Sequence, residues 1–159
     1  MSKYLLSLIL VVFIAGCASE PVMSPQQRRQ LQTRIFEHVS LKNVFRAFKT
    51  VLQDEGYIIT NQDMAGGLIV ATIEKTDRSS GFWEALAGNG NYRTGEGFQV
   101  SINLEQNDDS VESRMTLQKL EQYSHGGQKG KEILDPALYK SFYARVKTEV
   151  ERRKAQGKS

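Results

Sequence analysis

The sequence predicts an α+β fold, a two-layer sandwich in which two helices cover one face of an antiparallel sheet of about five strands. Three observations predict it. Phe98, Val100, Ile102 and Leu104 alternate with Gln99, Ser101, Asn103 and Glu105, the pattern of a strand with one buried and one wet face. Residues 41–52 and 138–150 carry apolar side chains at helical spacing, so two amphipathic helices need an apolar surface to cover. Short, turn-rich segments join several of the strands, which favours antiparallel pairing. The expected order is β-α-β-β-β-β-α. Composition agrees. A chain of 159 residues, 40% hydrophobic and 25% charged with net charge +3, suits one globular domain. It excludes a disordered chain, a coiled-coil rod and a disulfide-stapled scaffold.

Residues 1–16 read as a signal peptide. Lys3 supplies the positive start, and the apolar run from Tyr4 to Ile14 is shorter than the roughly 20 residues a bilayer core requires. The run ends in Ile14-Ala15-Gly16-Cys17, which resembles a bacterial lipobox. That resemblance implies cleavage before Cys17, a diacylglycerol thioether on its sulfur and acylation of its new amino group. Cys17 is the only cysteine, so an exported chain without a disulfide is accounted for. Ala18 and Ser19 follow it, with no adjacent aspartate. In enterobacterial lipoproteins that resembles release to the outer membrane, with the inner membrane as the alternative. Residues 17–30, with Pro21, Pro25 and a Gln/Arg run, read as the lipidated cysteine and a flexible tether. Residues 31–154 are the single domain and 155–159 a tail.

Leu31 to Val39 fit a first strand, with Thr33, Ile35 and Phe36 as its β-formers. Ser40 is placed as an N-cap, with Val39 and Val44 as a hydrophobic staple across the helix start. Leu41, Val44, Phe45, Phe48, Val51 and Leu52 form the stripe of the first helix, and Gly56 ends it. Tyr57 to Thr60 and Leu68 to Glu74 are strands around a turn at Asn61 to Gly67. The strand at Phe98 returns through Asn107-Asp108-Asp109-Ser110 into Val111, Ser113, Met115 and Leu117. The alternation slips at Leu120, which predicts a bulge or strand end there. Tyr123 to Lys131 read as a mobile, polar loop. Asp135-Pro136 starts the second helix, whose buried face is Leu138, Tyr139, Phe142, Tyr143, Val146 and Val150, running to about Lys154.

Four stretches carry a resemblance. Gln32-Thr33-Arg34-Ile35-Phe36, Leu52-Gln53-Asp54-Glu55-Gly56-Tyr57-Ile58-Ile59, Gly67-Leu68-Ile69-Val70-Ala71-Thr72 and Ile133-Leu134-Asp135-Pro136-Ala137-Leu138-Tyr139 are similar to a family of small uncharacterised bacterial lipoproteins. Its members share a QTRxF strand, an LQDxGYxI helix exit, a GLIxA strand and an LxDPxxY helix start. The pattern is structural and carries no catalytic residues. The order of elements also resembles the helix-grip domains of lipoproteins that accompany the outer-membrane β-barrel assembly machine, a likeness of fold that does not fix function. Relatives often have an apolar, Ala/Gly-rich middle segment. Here Glu84 interrupts a shorter one, Phe82 to Gly88, which argues against membrane insertion by it.

Residues that could carry chemistry are few. Phe82, Trp83 and Leu86, between flexible glycines, could form an apolar knob that contacts a partner or the membrane, or could fold back to cap the sheet. The glycine-rich Gly88 to Asn91 and Gly95 to Gly97 feed a strand rather than a helix, unlike a phosphate cradle. His38 and His125 have no metal-motif spacing, so no metal and no cofactor are expected. The acidic pairs Asp54-Glu55, Asp108-Asp109 and Glu149/Glu151 fall at a helix end, a turn and an exposed helix, which is no setting for general acid–base work. The basic stretch Arg145 to Lys158 reads as a solvated helix end before it reads as a lipid contact. The modest net charge excludes an electrostatic footprint for nucleic acid.

The expected function is that of a non-catalytic, membrane-anchored periplasmic lipoprotein. It is not an enzyme. It serves protein interaction or envelope assembly, and docks an envelope protein through a sheet edge or the Phe82-Trp83 segment. The alternative is a binder of a small apolar ligand or lipid between helix and sheet, with Phe45, Phe48, Phe142 and Tyr143 lining the gap.

Overall fold

The structure is a computed structural model, and it describes residues 23–74, 97–122 and 128–157. It is an α+β sandwich. The elements are α1 (Pro25–Gln32), β1 (Thr33–Glu37), α2 (Leu41–Asp54), β2 (Ile58–Asp63), β3 (Leu68–Glu74), β4 (Gly97–Asn107), β5 (Ser110–Gln122), β6 (Gln128–Ile133) and α3 (Pro136–Ala155). The strands form one antiparallel sheet in the order β1-β5-β4-β3-β2, and β6 also pairs with β5.

One face of the sheet is apolar because alternate side chains of each strand point to it. Phe36, Ile69, Ala71, Val100, Ile102, Val111 and Met115 are buried there. The expected stripes of α2 and α3 lie over this face, with Val44, Phe48, Leu52, Tyr139, Phe142 and Val146 almost fully buried. Phe48 is the hub. Its ring meets Phe36 edge-on at 6.1 Å, Tyr143 edge-on at 6.2 Å and Phe142 in a stacked arrangement at 6.3 Å. Three elements therefore meet on one side chain. Asp135 caps α3 by accepting the Ala137 N–H at 2.8 Å, and Pro136 takes the first helical position. Gly56 follows the last turn of α2 with φ +87°.

Five local expectations need correction. β2 runs from Ile58 to Asp63 rather than Tyr57 to Thr60, because Asn61, Gln62 and Asp63, expected in the turn, pair with Val70, Ile69 and Leu68 of β3. Residues 25–30 are not tether but helix, because Ser24 and Gln27 make a reciprocal capping box and Pro25 starts the turn. β1 consequently starts at Thr33 rather than Leu31. It ends at Glu37, because His38 turns out of the strand with φ +53° and lets Val39 bury itself below α2. The chain has no break or bulge at Leu120, which pairs with both Gly97 and Gly130. Leu120 sits half-buried on the second face, so the slip in pattern is an apolar residue on that face and not a slip in register. The bulge lies in β2, between Ile59 and Asn61. Finally, residues 128–131 belong to β6 and not to a loop. Lys, Gly and Gln hide this strand from a propensity reading, but β5 offers it a free edge.

Candidate functional site

β1 and β6 share one side of β5. β1 pairs with Ser110–Arg114, and β6 with Leu117–Gln122. Between them, at Met115 and Thr116, is a seam where this side of β5 has no strand partner among the described residues, while β4 pairs with the other side. Two tyrosines of α3 fill it. Tyr139 Oη accepts the Leu117 N–H at 3.2 Å, and Tyr143 Oη donates to the Gln32 carbonyl at 2.6 Å. Gln32 is itself buried. Its Nε2 donates to Glu132 at 2.6 Å, and its Oε1 accepts from Arg114 at 3.3 Å. Arg28 joins Glu132 at 3.1 Å. Burial pushes both phenols above their usual pKa, so they stay protonated and neutral at any physiological pH. Replacing Tyr143 by phenylalanine leaves the Gln32 carbonyl without its donor. The expected loss is about 1–3 kcal/mol in urea denaturation, and a loss below the measurement error would show the seam to be unimportant.

The same tyrosine floors a groove of about 510 Å³ between β1 and α3. The Arg34 guanidinium lies over the Tyr143 ring at 5.2 Å, and Lys154 Nζ donates to the Glu37 carbonyl at 3.0 Å. These two contacts place β1 and α3 side by side and running in the same sense. The floor is apolar, from Phe36, Tyr143, Ala144 and Val150, and Lys140 and Lys147 stand at the rim.

The outer edge of β1 opens into this groove. In an antiparallel ladder, alternate residues turn both backbone groups to the partner strand. The His38 N–H bonds the Asp109 carbonyl at 2.7 Å, so the even-numbered residues face β5. Thr33, Ile35 and Glu37 therefore face outward. Arg34 holds the Thr33 carbonyl at 2.6 Å, and Lys154 holds that of Glu37. Both groups of Ile35 lie between these, and its side chain is 58% exposed. The opposite edge of the sheet is β2, and the bulge at Ile59/Asn61 interrupts it.

Most charges expected to be solvated are paired within the chain. Arg145 pairs with the buried Glu55, joining the middle of α3 to the C-terminal end of α2. Glu149 binds Arg152 and Arg153 at 2.6 and 2.8 Å, and Arg153 reaches Thr50 at 2.8 Å. Hydrogen bonds from Arg152, then the two guanidinium charges, hold the Glu149 carboxyl below the usual range against its partial burial. His38 contacts the Asp109 carboxylate at the β1 exit. None of the three acidic pairs forms a two-carboxylate site. Among the described residues no group of three His, Cys, Asp or Glu could hold a metal ion.

Cys17, Phe82, Trp83, Leu86, the loop at 88–91 and His125 lie outside the described residues. Phe45, Phe48, Phe142 and Tyr143 are buried, Phe48 packs on both Phe142 and Tyr143, and of the four Tyr143 lines the groove. A sheet edge was the expected contact and the structure describes edges at β1, β2 and β6, but neither the choice of β1 nor the groove beside it was foreseen. Its signal in the sequence was the spacing of Lys140, Lys147 and Lys154, one every seven residues. No protein-family model and no curated protein matches the chain.

Proposed function

We propose that this chain is a periplasmic lipoprotein, held through Cys17 at the outer membrane, whose domain is a non-catalytic interaction module for envelope assembly. The domain receives an extended segment of a partner protein at the β1 edge. The observation that carries this reading is an unbulged edge strand whose outward Ile35 N–H and carbonyl open into a groove with an apolar floor. The lipobox-like start supports the anchor, because several acyl chains give stable attachment at about 0.8 kcal/mol per buried methylene. The anchor raises the local concentration of the domain near envelope partners, so a weak interface suffices.

The test is photo-crosslinking in cells from position 35, with position 58 as control. Ile58 is 70% exposed on β2, at the opposite edge of the sheet. A discrete protein adduct from position 35 and none from position 58 is the expected result. Identical adducts from both positions would sink the docking reading. Lipid adducts alone at position 35 would favour the small-ligand reading instead. In the same cells, Cys17→Ser is expected to abolish fatty-acid labelling and release the protein from the membrane fraction.

A further inference from the structure

The rim of the groove says what the docked segment is made of. Lys140 and Lys147 are exposed and make no hydrogen bond or ion pair with any described residue, whereas Arg145, Arg152, Arg153 and Lys154 on the same helix are all paired. Seven helical residues set the two lysines about 10.5 Å apart along α3. Ala144 and Tyr143 lie between them on the floor. Resting on the docking reading above, we infer that the occupant is an extended protein segment with acidic side chains on either side of an apolar one, all on the face turned to α3.

The spacing fits. Alternate residues of a strand share a face, so residues i and i+4 stand about 13 Å apart with i+2 between them. Carboxylates at i and i+4 come within reach of the two flexible lysines, and an apolar side chain at i+2 falls on the Ala144 floor. The backbone of the segment supplies a carbonyl and an N–H to the outward groups of Ile35. Arg34 and Lys154 now hold the outer carbonyls of Thr33 and Glu37. A docking strand displaces both side chains from these carbonyls, while Arg34 keeps the Gln30 carbonyl and Lys154 keeps Glu151. A second copy of this chain is a poor occupant. Pairing β1 with its own copy would bring the lysine rows of two α3 helices together, and like charges repel.

The test uses the full lipidated protein in neutral detergent micelles and labelled seven-residue peptides. The probe has glutamate at positions 2 and 6, valine at position 4 and threonine elsewhere. This arrangement reads the same in both strand directions. Its partner has lysine at positions 2 and 6. The glutamate peptide is expected to bind at least about tenfold tighter, and tighter at low salt. Lys140→Glu with Lys147→Glu is expected to reverse that preference without unfolding, because both side chains are exposed. Ile35→Pro removes an N–H that faces outward rather than into the β5 ladder, so an edge strand tolerates it. It is expected to abolish binding of both peptides.

Equal binding of the two peptides, or no reversal in the double variant, would overturn the acidic occupant and leave the docking reading standing. No binding of either peptide would overturn both. Full binding by Ile35→Pro, with displacement of the probe by phosphatidylglycerol in the micelles, would assign the groove to an anionic lipid and overturn the proposal.

Discussion

Phe48→Ala is expected to destabilise the domain by about 3–5 kcal/mol, the range for emptying a buried phenylalanine site. Phe48 has no exposed surface, and its ring touches Phe36 of β1 and both Phe142 and Tyr143 of α3. The cavity cannot collapse easily, because the three neighbours are anchored on two separate elements, β1 and α3. Against a total stability of about 5–15 kcal/mol, such a loss lowers the melting temperature by about 10–20 °C. Phe48→Leu, which keeps most of the volume, is expected to cost less than half as much. A loss below about 1 kcal/mol for alanine would mean that the aromatic cluster is not the centre of the core.

The same substitution has a second effect, on the groove. Phe36 and Tyr143 are floor residues, and Phe48 braces both. Tyr143 also carries the hydrogen bond that closes the seam at Gln32. Phe48→Ala and Tyr143→Phe should therefore couple, with a combined cost that departs from the sum by more than about 0.5 kcal/mol. Additive costs would show that core and seam are independent.

Long-period patterns in the sequence foretold the fold well. The stripes of α2 and α3 depend on side chains that repeat over three or more turns, and tertiary packing only reinforces them. β4 alternates cleanly because its two faces meet different surroundings along its whole length. Elements with little apolar periodicity of their own were harder to read. β6 has almost no apolar content, and it is a strand because β5 extends past β1 and leaves an edge. The capping box at Ser24 and Gln27 was legible and went unread, since the Gln/Arg run around it looks like tether. The groove has no sequence motif. It arises because the chain leaves β1 through the left-handed His38 and α3 returns alongside it 98 residues after that point, beginning at Pro136. The seven-residue spacing of Lys140, Lys147 and Lys154 marks one wall of that non-local juxtaposition, but no local pattern marks β1 as the other.

Gly67→Ala is expected to cost about 3 kcal/mol or more, for two separable reasons. Gly67 has φ +68°, in the left-handed region, where an alanine costs about 1–2 kcal/mol. It also lies against β4. Its carbonyl accepts the Leu104 N–H at 2.9 Å, and a Cβ built on it would stand 2.0 Å from the Leu104 carbonyl oxygen. That neighbour is backbone, fixed by pairing with β5 on its other side, so the hairpin of β2 and β3 would have to move instead. Moving it breaks the Leu104 hydrogen bond and opens the sheet at its apolar face. Gly56 separates the two costs. Its φ is also positive, at +87°, but a Cβ there would meet only the far end of Ile73 at 3.5 Å. Gly56→Ala should therefore show the backbone cost alone. A difference of about 1 kcal/mol or more between the two variants, measured by urea denaturation, is the contribution of close approach. Equal losses would mean that β3 shifts freely along β4, and the register from Leu68 to Glu74 would then rest on side-chain packing and not on the turn.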